Sequence, residues 1–142
     1  MPLKVELKPG ERMLIGNCVI TNSDSQRTKL LIDGKSPILR EKDILTEKTA
    51  NSPCKNIYYV IQLMYIEDDI ARLREQYFAL TKDLLTAAPS TLVYIEQINN
   101  EILTSSLYKA LRIAKTLIEY EKELLNAATG GASLSTNSET NS

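Results

Sequence analysis

The chain has 142 residues, of which 43% are hydrophobic and 25% charged, and it carries a formal net charge of −1 with no histidine. This is the size and composition of one soluble globular domain with a real core. It contains no paired-cysteine motif, no Gly-rich phosphate loop and no carboxylate pair at a catalytic spacing, so the composition favours binding over catalysis. The charge is uneven, because residues 1–55 hold ten Lys and Arg against seven Asp and Glu, whereas residues 56–142 hold seven against eleven.

The first part of the chain has the period-two pattern of strands. Leu3, Val5 and Leu7 alternate with charged residues, and Pro9-Gly10 then makes a turn. Gly16-Asn17 tolerates the positive φ angles of a tight hairpin. The spacing predicts an antiparallel meander or small barrel of about five strands, at residues 3–7, 13–15, 19–21, 29–32 and 37–40.

Beyond a polar connection, the apolar residues recur at helical spacing. Ser52-Pro53 has the pattern of an N-cap followed by proline at the first helical position. Residues 57–66 are rich in Tyr and Ile and are compatible with either a helix or a strand. Asp68 and Asp69 predict the start of the next helix, and further helices are predicted over about residues 92–102 and 107–125.

These elements predict an α+β fold, with a small N-terminal antiparallel β-sheet or barrel of about five strands followed by a C-terminal helical part of three to four helices. We expect a single domain over residues 1–128, with a β-rich part at 1–48 and a helical part at 53–128. Residues 129–142 are Gly, Ser, Thr and Asn with almost nothing to bury, which predicts a disordered tail.

The cysteines and the apolar segments predict a reduced protein of the cytoplasm. Cys18 and Cys54 lie far apart with no metal-binding or redox spacing, so we expect both to be buried, reduced thiols. Charged residues alternate with the apolar residues at the N-terminus, which is not the pattern of a secretion signal. The longest apolar stretch, 57–66, is about half the length that spans a bilayer.

The remaining candidates for chemistry have simpler interpretations. Glu67-Asp68-Asp69 lacks the alternating ligands and the glycine of a calcium loop, so helix capping is favoured and no metal is predicted. Ser105 and Ser106 have no histidine to activate them, which argues against a hydrolase. We therefore predict no enzymatic activity and no cofactor.

Several blocks of sequence, in order, resemble the FlbT family of flagellin regulators. The blocks are PLKVELKPGER at 2–12, IGNCVITN at 15–22, LREKDI at 39–44, IYYVIQLMYI at 57–66, and YKALR with LIEYE at 108–112 and 117–121. Cys18 stands where a small apolar residue such as alanine is expected. The resemblance implies a post-transcriptional repressor of flagellin synthesis that associates with the 5′ untranslated region of flagellin mRNA and promotes its degradation.

An RNA-binding protein needs cations that cluster on one surface, since phosphate neutralisation supplies most of the sequence-independent affinity. The alternative interpretation is that the lysines and arginines of the strand-like part only solvate a sheet. Tyr58, Tyr59 and Tyr65 are candidate stacking planes, with packing of the core as the alternative. The candidate RNA-binding cations all lie in the strand-like part: Lys4, Lys8, Arg12, Lys29, Lys35, Arg40 and Lys42.

The last predicted helix is strongly amphipathic, which supports a second hypothesis of another class. In this hypothesis the chain is a protein-interaction module whose helical part binds a partner helix, and any effect on mRNA is indirect. The flagellar resemblance suggests flagellin, a co-regulator such as FlaF, or another copy of the chain as the partner. The alternative is that the stripe only forms the protein's own core. The candidate partner-binding residues are Leu107, Leu111, Leu117, Ile118 and Leu124.

Overall fold

A computed structural model describes residues 2–130 and divides the chain into two compact units, one ending at Ile44 and the other beginning at Leu45. The first unit contains five antiparallel strands and the second contains four α-helices, which confirms the predicted fold class. In the described residues, no helix has the length and apolar character needed to cross a membrane. The strands are β1 (Leu3–Leu7), β2 (Arg12–Ile15), β3 (Cys18–Thr21), β4 (Thr28–Ile32) and β5 (Ile38–Arg40).

The strands form two small sheets, with the orders β1-β4 and β3-β2-β5. The predicted hairpin is confirmed, because β2 and β3 pair across Gly16, whose φ of +63° suits the turn. The predicted meander is wrong, because β4 pairs with β1 and not with β3. This pairing places Val5 opposite Leu30, so their side chains lie on one face and join the unit's core with Leu7 and Met13.

Asn22 organises the chain between β3 and β4. Its side-chain amide donates to the carbonyl of Leu7 at 3.0 Å and to that of Gln26 at 2.9 Å. Its carbonyl oxygen accepts from the backbone N–H of Asp24 at 3.0 Å and from the Thr28 hydroxyl at 3.2 Å. The buried amide therefore has all four bonds satisfied, and it fixes the loop that leads back to β1.

The second unit is built around α1 (Pro53–Glu67) and α4 (Leu107–Gly130), joined by α2 (Ile70–Ala87) and α3 (Leu92–Leu103). The ambiguous residues 57–66 are helical, since Ile57, Val60, Ile61 and Met64 follow helical spacing and are almost fully buried. α4 extends through Gly130, past the end at about residue 125 that the apolar pattern predicts. Residues 131–142, which hold most of the predicted disordered tail, lie outside the described part of the chain.

Contacts at both ends show that α1 and α4 run antiparallel. Ser52, the confirmed N-cap of α1, donates its hydroxyl to Glu121 at 2.6 Å, whereas Tyr65 near the end of α1 packs against Tyr108 near the start of α4. Ala110 and Ala114 are fully buried on α4, and small side chains allow two helices to approach closely. These contacts leave little of the α4 stripe uncovered before residue 119.

Gln62 explains how a polar residue fits into the apolar face of α1. Its side-chain oxygen accepts from the Leu45 N–H at 2.8 Å, and its amide donates to the Leu45 carbonyl at 2.9 Å. The buried amide therefore acts as the pairing partner of the chain segment that precedes α1.

The two cysteines have different surroundings. Cys54 is buried as predicted, and desolvation together with the nearby carboxylate of Glu121 raises the pKa of its thiol to about 12. The prediction for Cys18 is wrong, because this residue is exposed. It begins an edge strand directly after the hairpin turn, where no other strand of the described residues covers it.

Candidate nucleic-acid interface

The outward face of the β1-β4 sheet brings together part of the predicted cation set. Val5 and Leu7 are buried, so Lys4 and Glu6 point to the other face and are exposed. The register places Lys29 directly opposite Glu6 and Leu31 opposite Lys4. Lys4 and Lys29 are therefore diagonal neighbours, at about 7–8 Å for the general geometry of a sheet.

Two further cations border this face. Lys8 is exposed and follows directly after β1. Arg27 precedes β4 and forms an exposed ion pair with Glu6, with N and O atoms 3.8 Å apart. We call Lys4, Lys8, Arg27 and Lys29 the cationic face, and Glu6 is the acidic residue among them.

The two arginines of the predicted set do not join the cationic face. Arg40 lies opposite Met13 in the β2-β5 pairing, whereas Arg12 is the neighbour of Met13 along β2, so the two arginines lie on opposite faces of their sheet. Arg12 pairs with Glu41 at 3.3 Å. Arg40 pairs with Glu11 at 3.0 Å and also donates to the Glu6 carbonyl at 3.1 Å, which links β5 to β1. Both arginines therefore already have acidic partners.

Glu11 has a structural role in the turn after β1. Its carboxylate accepts from the Lys8 N–H at 2.9 Å and from the Arg40 guanidinium. These hydrogen bonds, with the charges of Arg40 and Lys8, hold the pKa of Glu11 below its usual value despite the opposing effect of desolvation. The Arg40–Glu11 pair thus stabilises the fold of the strand unit.

Lys35 and Lys42 lie in connecting segments. Lys35 follows Gly34 in the turn after β4, and Lys42 is exposed in a single 3-10 turn at Glu41–Asp43. Neither belongs to the cationic face. Of the seven predicted cations, the structure therefore brings Lys4, Lys8 and Lys29 together, pairs two with glutamates and places two in loops.

The candidate stacking residues are divided between core and surface. Tyr58 is buried, whereas Tyr59 and Tyr65 are half-buried. The Tyr65 ring lies 6.0 Å from that of Tyr108, which is 45% exposed and was not predicted as a candidate. Lys109 and Arg112 follow Tyr108 on α4 and are exposed. Tyr108 is therefore a more accessible aromatic plane than the predicted tyrosines.

The predicted partner-binding stripe lies mostly inside the helical unit. Leu107, Leu111, Leu117 and Ile118 are buried, so these side chains form the core in this structure. Leu124 is at the surface, 36% exposed, and it lies in the last part of α4, where residues 122–129 are all exposed. A partner can reach only this end of the stripe without a rearrangement.

Comparison with known proteins identifies the family. The model of the flagellar protein FlbT family matches residues 3–125. The chain belongs to the FlbT family. This confirms the resemblance predicted from the sequence blocks. No solved structure matches the chain significantly.

The relatives are similar over nearly their whole length. A probable flagellum biosynthesis repressor protein FlbT of Rhodopseudomonas palustris is 55% identical over 126 residues, covering 89% of this chain and 99% of the relative. One from Bradyrhizobium diazoefficiens is 56% identical, covering 87% and 85%. The flagellum biosynthesis repressor protein FlbT of Caulobacter vibrioides is 32% identical, covering 94% and 96%. These names support a regulatory, repressive role in flagellum biogenesis, and none of them describes an enzyme.

Proposed function

We propose that this protein is a cytoplasmic, post-transcriptional repressor of flagellin synthesis that associates with the 5′ untranslated region of flagellin mRNA and promotes its degradation. Membership of the FlbT family supports the flagellar role. The observation that supports a direct RNA contact is the cationic face, where Lys4, Arg27 and Lys29 lie around Glu6 and Lys8 follows at the end of β1. Clustered cations of this kind neutralise phosphates.

The size of the cationic face predicts a modest electrostatic contribution. Each phosphate contact with a single strand changes the slope of log affinity against log salt by about −0.7, so three to four contacts give a slope of about −2 to −3. Because the protein makes so few phosphate contacts, it needs base contacts or stacking to select one RNA. We therefore expect selectivity for the flagellin leader to persist at salt concentrations that weaken binding to a scrambled leader.

The test is a salt titration of the purified protein with a flagellin 5′ leader RNA and a scrambled control. The double variant Lys4→Gln/Lys29→Gln removes two cations of the face, so its slope is expected to be shallower by about 1.4. The matched control is Arg74→Gln/Lys82→Gln, which removes two exposed cations from α2. Equal slopes for the two double variants would exclude the cationic face as the RNA-binding surface.

We propose that degradation is carried out by cellular nucleases after binding. The described residues contain no cluster of three His, Cys, Asp or Glu side chains that could hold a metal ion, and the chain has no histidine. Leader RNA incubated with the purified protein is expected to stay intact and to be lost faster only when a cell extract is added. Cleavage of the RNA by the pure protein would contradict this step.

The alternative function is that of a protein-interaction module that binds flagellin or a flagellar co-regulator such as FlaF and affects mRNA indirectly. The observation that favours it is the exposed end of α4, where Leu124 and Leu125 lie at the surface. The test is a pull-down with purified flagellin and FlaF, comparing Leu124→Ser/Leu125→Ser with the control Asn126→Ser. RNA binding that appears only when one of these proteins is added would favour the module over direct recognition.

A further inference from the structure

The outer edge of β3 differs from the other strands of the first unit. Of the five strands in the described residues, β3 is the only one with no charged side chain, and the run from Met13 to Ser23 contains no charge at all. Val19 is 54% exposed and Ile20 is 37% exposed. Natural proteins usually protect an open edge with charges, proline or a bulge, because an unprotected edge pairs with another strand.

The hydrogen-bond pattern of the hairpin shows which backbone groups are available. Ile15 and Cys18 flank the two-residue turn, and the Asn22 N–H donates to the Glu11 carbonyl at 3.0 Å. Because bonding directions alternate along an antiparallel strand, the backbone groups of Cys18 and Ile20 point toward β2. Those of Val19 and Thr21 point away, where the described residues contain no neighbouring strand.

We propose that two copies of this chain pair antiparallel through β3 and so form a continuous six-stranded sheet. One register uses all the outward backbone groups of Val19 and Thr21. In it, Val19 exchanges two hydrogen bonds with Thr21 of the second copy, and Thr21 exchanges two with Val19 of the second copy. Ile20 then faces its own symmetry mate on the two-fold axis. The same strand edge is used by both copies. Because β3 has no charged side chain, this pairing places no like charges opposite each other.

The self-complementary β3 edge identifies a second copy of this chain as the binding partner. An edge that carried lysine or glutamate would repel a second copy of itself, as the charged residues of β1 do. Here both outward residues are satisfied by a second copy, and the apolar Ile20 packs on its equivalent. A four-residue edge buries far less than the roughly 1,200–2,000 Å² of a stable complex, so we expect a concentration-dependent equilibrium.

The decisive experiment is disulfide formation in the full-length chain with Cys18→Ser as the background, using diamide as the oxidant. Ile20→Cys is expected to cross-link, because a non-hydrogen-bonded antiparallel pair has Cα atoms about 4.5 Å apart, within the range of a disulfide. The matched control is Thr21→Cys, whose copies are offset by two residues and lie about 8 Å apart, too far for a disulfide. Cross-linking of both variants, of neither, or of Thr21→Cys alone would overturn the register.

Sedimentation velocity across a concentration series tests the pairing without a cross-link. Thr21→Pro removes an outward N–H that β2 does not use, so it is expected to give a monomer. The control Thr21→Val keeps the N–H and is expected to dimerise like the unmodified chain. A monomer at every concentration for the unmodified chain would refute the proposal. If Thr21→Pro does not fold, as judged by circular dichroism, the cysteine pair still decides the result.

Discussion

Within the helical unit, Glu121 on α4 is hydrogen-bonded to the start of α1. One carboxylate oxygen accepts from the Ser52 hydroxyl at 2.6 Å, and the other accepts from the Cys54 N–H at 3.1 Å. Hydrogen bonds to a charged group contribute about 1.5–3 kcal/mol each, and an anion at a helix N-terminus adds about 0.3–1 kcal/mol. Glu121 is half-buried, so we take the lower value for each contribution and expect Glu121→Ala to cost about 3 kcal/mol of unfolding free energy.

Urea denaturation followed by circular dichroism measures this cost. The matched control is Glu123→Ala, an exposed residue on the same helix, for which we expect a change within about 0.5 kcal/mol. A double-mutant cycle with Ser52→Ala should give a coupling energy of about 0.5–3 kcal/mol, because the two side chains share a bond. If Glu121→Ala is no more destabilising than the control, the carboxylate does not hold α1 to α4.

Three further predictions concern stability and reactivity. Asn22→Ala removes four hydrogen bonds around a buried amide, so it should cost about 2–4 kcal/mol in the same urea assay. In the native protein, Cys18 should react rapidly with a thiol reagent at pH 8, whereas Cys54, with its pKa raised to about 12, should react only after unfolding. Because the folded-state pKa of Glu11 is lowered, its stabilisation is present above the unfolded pKa and is lost as the pH falls through the folded pKa. Glu11→Gln should therefore reduce the loss of unfolding free energy as the pH is lowered. An unchanged pH dependence would argue against stabilisation by the Glu11 carboxylate.

Local patterns in the sequence were sufficient for most of the elements, but not for residues 57–66 or for the pairing of the strands. The alternation at Leu3, Val5 and Leu7 and the Gly16 turn are properties of adjacent residues, so β1 and the hairpin could be predicted. The pairing of β4 with β1 depends on contacts distant in sequence, above all the buried Asn22 amide that joins the Leu7 carbonyl to the loop before β4. A search for consecutive hairpins cannot detect such a contact.

The candidate sites show the same limit. Arg12 and Arg40 are both basic and both lie in strands, yet only the register reveals that they are on opposite faces of one sheet. The apolar stripe of α4 was correctly predicted as a stripe. Whether α1 or a partner covers it depends on tertiary packing, and the structure buries Leu111 and Leu117 within the unit. Periodicity predicts which side of a helix is apolar but not what packs against it.

If the proposed cationic face binds phosphates, base stacking has to come from residues outside the strand unit. Every tyrosine and the single phenylalanine lie at residue 58 or beyond, so the strand unit that carries the cationic face has no aromatic side chain. If RNA is selected by stacking, the helical unit must supply the aromatic plane, and Tyr108 is the tyrosine whose ring is most exposed there. Affinity and selectivity are then physically separable. Removing Lys4 and Lys29 should change the salt dependence for all RNAs, whereas removing the Tyr108 ring should reduce the preference for one RNA and leave the slope unchanged.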